Sequence, residues 1–179
     1  MFADGGCPNF VSSLIQNTMA QIDHFTDTLK DEAIIVKPEE GQRLELHQGR
    51  ITLKITSEMS NDQFGLYEIT LAPGTVGARL HYHRYMDETF IVNKGTLHVQ
   101  FPGREIAAPE GSIIYIPRFT PHGFANNSAA DTTVTLMFNP GGHREGFFYG
   151  LYEVLSQQPV DQERFLQLYN KYDSYPVNA

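Results

Sequence analysis

The sequence predicts an all-β sandwich or barrel with helical segments at its ends. Short strands with two-residue alternation recur through its middle. Gly, Pro and Asn punctuate them, and helical spacing takes over on either side.

Residues 9–30 read as a helix, because Phe10, Val11, Leu14, Ile15, Met19, Ile22, Phe25 and Leu29 recur at three- and four-residue steps. Asn9 is placed to cap it. Such a stripe fits a helix packed on the β region better than a lid or a dimer arm. From residue 33 the period changes: 33–36 is a short apolar run, and a Pro-Glu-Glu-Gly break follows. Ile51, Leu53 and Ile55 alternate with Thr52, Lys54 and Thr56, the pattern of a half-buried strand. Residues 64–71 form the next strand, and Ala72-Pro73-Gly74 ends it. Further strands are expected at 88–93, 96–101, 112–116 and 132–138, with Lys94-Gly95 and Pro102-Gly103 as hairpin turns. After Pro140-Gly141-Gly142 the helical period returns over 145–156, and a second helix starts near Asp161. The chain thus divides into an N-terminal helical extension (1–32), a β region (33–140) and a C-terminal helical extension (141–179), all one structural domain.

A chain of 179 residues can bury a sizeable core. No stretch approaches the roughly 20 apolar residues of a membrane span. The first thirty residues lack a basic start followed by an apolar block, so no signal peptide is expected. The single cysteine, Cys7, rules out an intramolecular disulfide and fits a reducing, cytoplasmic setting. The net charge is −8 and the Lys and Arg residues do not cluster, which gives a nucleic-acid role no electrostatic support.

His81 and His83 are two apart, so on a strand they share a face, with Cα atoms roughly 6–7 Å apart. Alone, such a pair is more often two partly exposed histidines than a metal site. Glu88 lies five residues on, the wrong phase for a straight strand, so the site needs a turn or bulge within 84–87. Asp87 is its competitor. Two imidazoles and a carboxylate suit Fe, Mn, Ni, Co, Cu or Zn. A fourth candidate, His122, follows a buried strand and a proline-bracketed loop.

These residues resemble the two motifs of the cupin superfamily. Gly74, His81, His83, Glu88 and Gly95 match the first, with the leading glycine one residue early. Gly111, Pro117, His122 and Asn126 match the second, with Phe119 where the motif has its inner glycine. Fifteen residues separate the motifs, and the likeness covers roughly residues 40–140. The stretch from Ser128 through Phe138-Asn139-Pro140-Gly141-Gly142 and Phe147-Phe148 is similar to the single-domain quercetin dioxygenase-like branch. This resemblance implies a jelly-roll (double-stranded β-helix) barrel holding one divalent transition metal through His81, His83, Glu88 and His122. It implies a dioxygenase that cleaves a flavonol-like or enolisable small molecule, with Glu88 as ligand or general base. It also implies a homodimer, with neither nucleic acid nor membrane as partner. An isomerase or decarboxylase working without dioxygen, and a non-catalytic small-molecule binding module, are the alternatives. Phe90 and Val92 are in phase with Glu88, and Phe124 with His122. With Met137 they are candidates to line a substrate pocket, against a competing role as ordinary core.

Overall fold

The computed structural model describes residues 32–157 and 159–177. The chain forms two compact units, Met1–Ile35 and Val36–Ala179. Residues 32–35, the described part of the first, have no regular structure, so the apolar run at 33–36 is not a strand. The helix expected over 9–30 lies outside the described residues. All that follows concerns the second unit.

Its elements, in order, are β1 (Gln42–Leu46), β2 (Gly49–Ile55), β3 (Gly65–Leu71), β4 (Thr75–Tyr82), β5 (Asp87–Lys94) and β6 (Thr96–Phe101). Then come β7 (Arg104–Pro109), β8 (Ile113–Ile116), β9 (His122–Asn126), β10 (Thr132–Asn139), α1 (Arg144–Leu155), α2 (Gln162–Lys171) and β11 (Tyr175–Pro176). They build two antiparallel sheets, ordered β1-β2-β3-β10-β5-β8 and β11-β4-β9-β6-β7. This is the jelly roll that the resemblance implied, built from two facing sheets that do not close on each other among the described strands.

Two turn predictions part company here. Phe101 pairs with Arg104, so Pro102-Gly103 is a two-residue hairpin loop, and Gly103 takes the positive φ of 74° that this turn needs. Lys94-Gly95 is not a hairpin turn. β5 pairs with β10 and β8, β6 with β7 and β9, so Gly95 carries the chain from one sheet to the other. A side chain there would press on the Asp131 carbonyl and on Thr132.

The inward faces follow the two-residue phase. Thr132, Val134, Leu136 and Phe138 are buried along β10, and Glu88, Phe90 and Val92 along β5. Tyr67, Phe90 and Phe138 are fully enclosed, each worth about 1.5–3 kcal/mol of burial. After the barrel strands, α1 buries Arg144, Phe147, Phe148 and Val154. α2 starts at Asp161, whose carboxylate accepts from the Arg164 N–H at 3.0 Å. No helix among the described residues is long and apolar enough to cross a membrane.

Candidate metal centre

Strand pairing brings the histidines together. His81, near the end of β4, sits directly opposite His122, the first residue of β9. His83 lies just past the end of β4. Residues 84–86 then take the chain across to the other sheet, where Glu88 is the second residue of β5, opposite Ile116 and Phe138. That crossing supplies the turn that the five-residue spacing required. It also separates the two competing acids. Glu88 is buried. Asp87 faces outward and pairs with Arg118, its Oδ1 accepting from Nε at 3.0 Å and from the backbone N–H at 2.9 Å.

The four side chains converge. All are 0–3% exposed, and one potential ligand atom from each lies within 4.8 Å of the others. Glu88 Oε2 is 2.8 Å from His122 Nε2 and 3.1 Å from His83 Nε2. Donors bound at a right angle, each about 2.1 Å from one ion, lie about 3.0 Å apart. The spacing is that of ligands sharing a cation.

The outer ring nitrogens reinforce the fit. Each Nδ1 faces a backbone carbonyl: His81 that of Arg79 at 2.8 Å, His122 that of Thr120 at 2.9 Å, and His83 that of Asp173. A carbonyl only accepts, so each Nδ1 carries the proton and each Nε2 is left with a lone pair aimed inward. Such outer hydrogen bonds fix the ring and raise its strength as a ligand. Without an ion, Glu88 could bond both histidines only if extra protons were present. With an ion, the three lone pairs and the carboxylate are satisfied together, so these residues fit a divalent transition metal.

The electrostatics agree. Burial, with help from His122 and His83, pulls His81 down to about 3, so it stays neutral at any ordinary pH. Burial opposes the charge of Glu88, yet the hydrogen bonds from His122 and His83 prevail and hold it well below the usual carboxylate range. Burial likewise opposes a charged His122, but bonding to Glu88 prevails and raises it.

Two supports of the site carry no signal in the motifs. The Asp173 carboxylate accepts from the backbone N–H groups of Arg84, Tyr85 and Met86 at 2.9, 2.8 and 3.2 Å, fixing the turn between ligands, while its carbonyl orients His83. Arg144 anchors the same tail: its Nη1 donates to the Tyr172 carbonyl at 2.6 Å and to Ser174 Oγ at 3.0 Å. β11 completes the clasp by pairing Pro176 with His81 and Tyr175 with Tyr82.

Phe119 holds the left-handed conformation, φ 63°, at the position where the motif has glycine. The loop shape survives the substitution, and the Phe119 N–H donates to the His83 carbonyl at 2.7 Å. Of the pocket candidates, Phe90 lies beside His122, with ring centroids 6.4 Å apart, and Phe124 packs on Phe90 at 5.1 Å. Val92 lies one step further along β5. All three are core residues. Met137 needs correction: it alternates with Leu136 and Phe138, is only half-buried, and sits on the face of β10 away from the ligands. A second aromatic group comes from the C-terminal helices. Tyr169 approaches His81 at 6.2 Å between centroids, and Phe147 and Phe148 follow Arg144.

Residues 67–138 match the family model described as the cupin domain. No curated protein matches the sequence. Among solved structures, KdgF from Halomonas sp. is 18% identical with a TM-score of 0.52, covering 60% of this chain and 94% of its own. A protein described as a predicted oxalate decarboxylase, from Thermotoga maritima, is 16% identical with a TM-score of 0.53, covering 60% and 99%. At these identities the likenesses show a shared fold. Residues 67–138 thus match the cupin domain, and the fold around them is the one these neighbours share.

Proposed function

We propose that this protein is a metal-dependent enzyme, a dioxygenase acting on a flavonol-like or otherwise enolisable small molecule. The observation that carries the reading is the set of three imidazoles, each tied at Nδ1, whose Nε2 atoms meet one carboxylate in a dry interior. A divalent transition metal held there supplies Lewis acidity, and redox capacity if it is Fe, Mn, Ni, Co or Cu. The chain's own residues do the rest. His81, His83 and His122 present fixed neutral donors. Glu88, the one carboxylate among them, is ionised at neutral pH and able to accept the proton of an acidic substrate hydroxyl. The enclosure by Phe90, Phe138 and Ile116 keeps bulk water from the reacting atoms.

A second reading uses the same centre without dioxygen, as an isomerase or as a decarboxylase, the latter favoured by the likeness to the predicted oxalate decarboxylase of Thermotoga maritima. Metal-loaded protein supplied with flavonols and β-diketones separates the two. Oxygen uptake in step with substrate loss supports the dioxygenase. Equal turnover under argon transfers the support to the second reading, and tight binding without turnover makes the chain a binding module. A homodimer belongs to the same proposal. It is supported by β8, an edge strand among the described residues, where Ile113 and Tyr115 are exposed, and a sedimentation mass of one chain would remove it.

A further inference from the structure

Arg144 is a buried cation with hydrogen-bond donors left over. It is 4% exposed, yet it makes no ion pair among the described residues. Nη1 is committed to the tail. Nε is shielded and without a partner, and Nη2 donates to no described residue. The guanidinium instead lies over Phe147 at 3.9 Å and near Phe138 at 4.6 Å. Cation–π contact offsets only part of the cost of burying a guanidinium.

The neighbouring acids are already engaged. The Asp173 carboxylate is taken by three backbone N–H groups. Glu145 accepts from the Tyr67 hydroxyl at 2.9 Å and from the Ser57 N–H at 3.2 Å. Glu88 belongs to the metal centre. Tyr169, 5.2 Å from Phe147 and 6.2 Å from His81 between ring centroids, adds a hydroxyl that bonds to no described residue.

We propose that the substrate carries a carboxylate, received by Arg144 Nη2 and the Tyr169 hydroxyl on the helix side of the metal centre. Two donors suit the two oxygens of a planar carboxylate, whereas a phosphate asks for more. The assignment rests on the metal-enzyme reading and narrows its substrate to an organic acid.

The test uses full-length protein loaded with cobalt(II), whose visible spectrum reports occupancy of the centre. Calorimetry compares acetate with acetamide and benzoate with benzamide, pairs of matched shape that differ in charge; inorganic phosphate is the third probe. The expected result is that at least one acid binds about 10- to 100-fold tighter than its amide, the range for a hydrogen-bonded charge. Arg144→Met should erase that preference, Arg144→Lys should keep part of it, and Tyr169→Phe should reduce it, each measured with the variant brought to full cobalt occupancy. Acids that bind no better than their amides overturn the proposal, and so does tighter binding of phosphate. If Arg144→Met fails to fold, Arg144→Lys and Tyr169→Phe decide the matter: a preference unchanged in both comes from the cobalt alone and overturns the proposal. A folded protein that takes up no cobalt overturns the metal reading itself, whereas cobalt uptake without charge preference overturns this inference alone.

Discussion

Asn126 and His122 stand on one face of β9, four residues apart and both fully buried, yet their surroundings are finished to different degrees. The Asn126 amide donates to the carbonyls of Leu71, Ala72 and Ala130 at 2.9, 3.1 and 2.8 Å, and its oxygen accepts from the Ser128 N–H at 3.0 Å. Every polar atom there has a partner within the chain. At the His122 end, three Nε2 lone pairs crowd one carboxylate, and the nearby Arg144 keeps donors unused. A buried polar group that serves structure is satisfied by the protein, while one that serves a ligand is left incomplete.

Removing the finished group should therefore damage the fold and spare the centre. Asn126→Ala leaves several buried carbonyls without donors and should cost about 2–4 kcal/mol in urea unfolding. Metal content per folded chain should stay at the wild-type level. A fall in both would mean that the two ends are not separate.

Asp173→Asn probes the opposite end. The variant weakens the clasp on residues 84–86 and loosens His83, so metal affinity should drop about 10- to 100-fold. Competition with a chelator of known affinity measures this. Stability of the metal-free chain should change less than in Asn126→Ala.

Proton competition sharpens the contrast further. The raised His122 binds its proton below its folded pKa, and the ion must displace it, so affinity should fall by up to about tenfold per pH unit on acidification below that range. His81, neutral down to about 3, and the already ionised Glu88 add nothing to the slope until far lower pH. Metal-free stability should lose the Glu88 contribution as pH falls below the usual glutamate range toward its depressed folded value. Kd measured from pH 5 to 8 gives the first trend, and acid unfolding the second.

The smallest effect belongs to the loop before β9. Phe119→Gly relieves a left-handed side-chain residue and should raise stability by about 1 kcal/mol in thermal unfolding, with metal affinity unchanged.

The ligand set could be read from the chain because its members lie in two short segments whose spacings reflect local geometry. His81 and His83 share a strand phase, and His122 opens the strand beside them. Strand phase also placed Phe90, Val92 and Phe124 inward, whereas Met137 had no ligand on its own strand to fix its phase. The inter-sheet passage at Gly95 was read as a hairpin because both geometries want a glycine with positive φ. Asp173 and Arg144 could not be found this way. Asp173 meets His83 through a backbone carbonyl ninety residues distant, which any residue type could supply. Arg144 looks in the sequence like any polar residue opening a helix. Only tertiary packing buries it against Phe147.

Metal titration of protein purified without a metal-affinity column bears most directly on the centre. The account predicts one ion per wild-type chain and less than about one-tenth of an ion in a folded His83→Ala variant, since losing one ligand opens the cage but leaves the apolar strands intact. A folded wild-type chain that stays empty, or a His83→Ala chain that fills equally well, would contradict it.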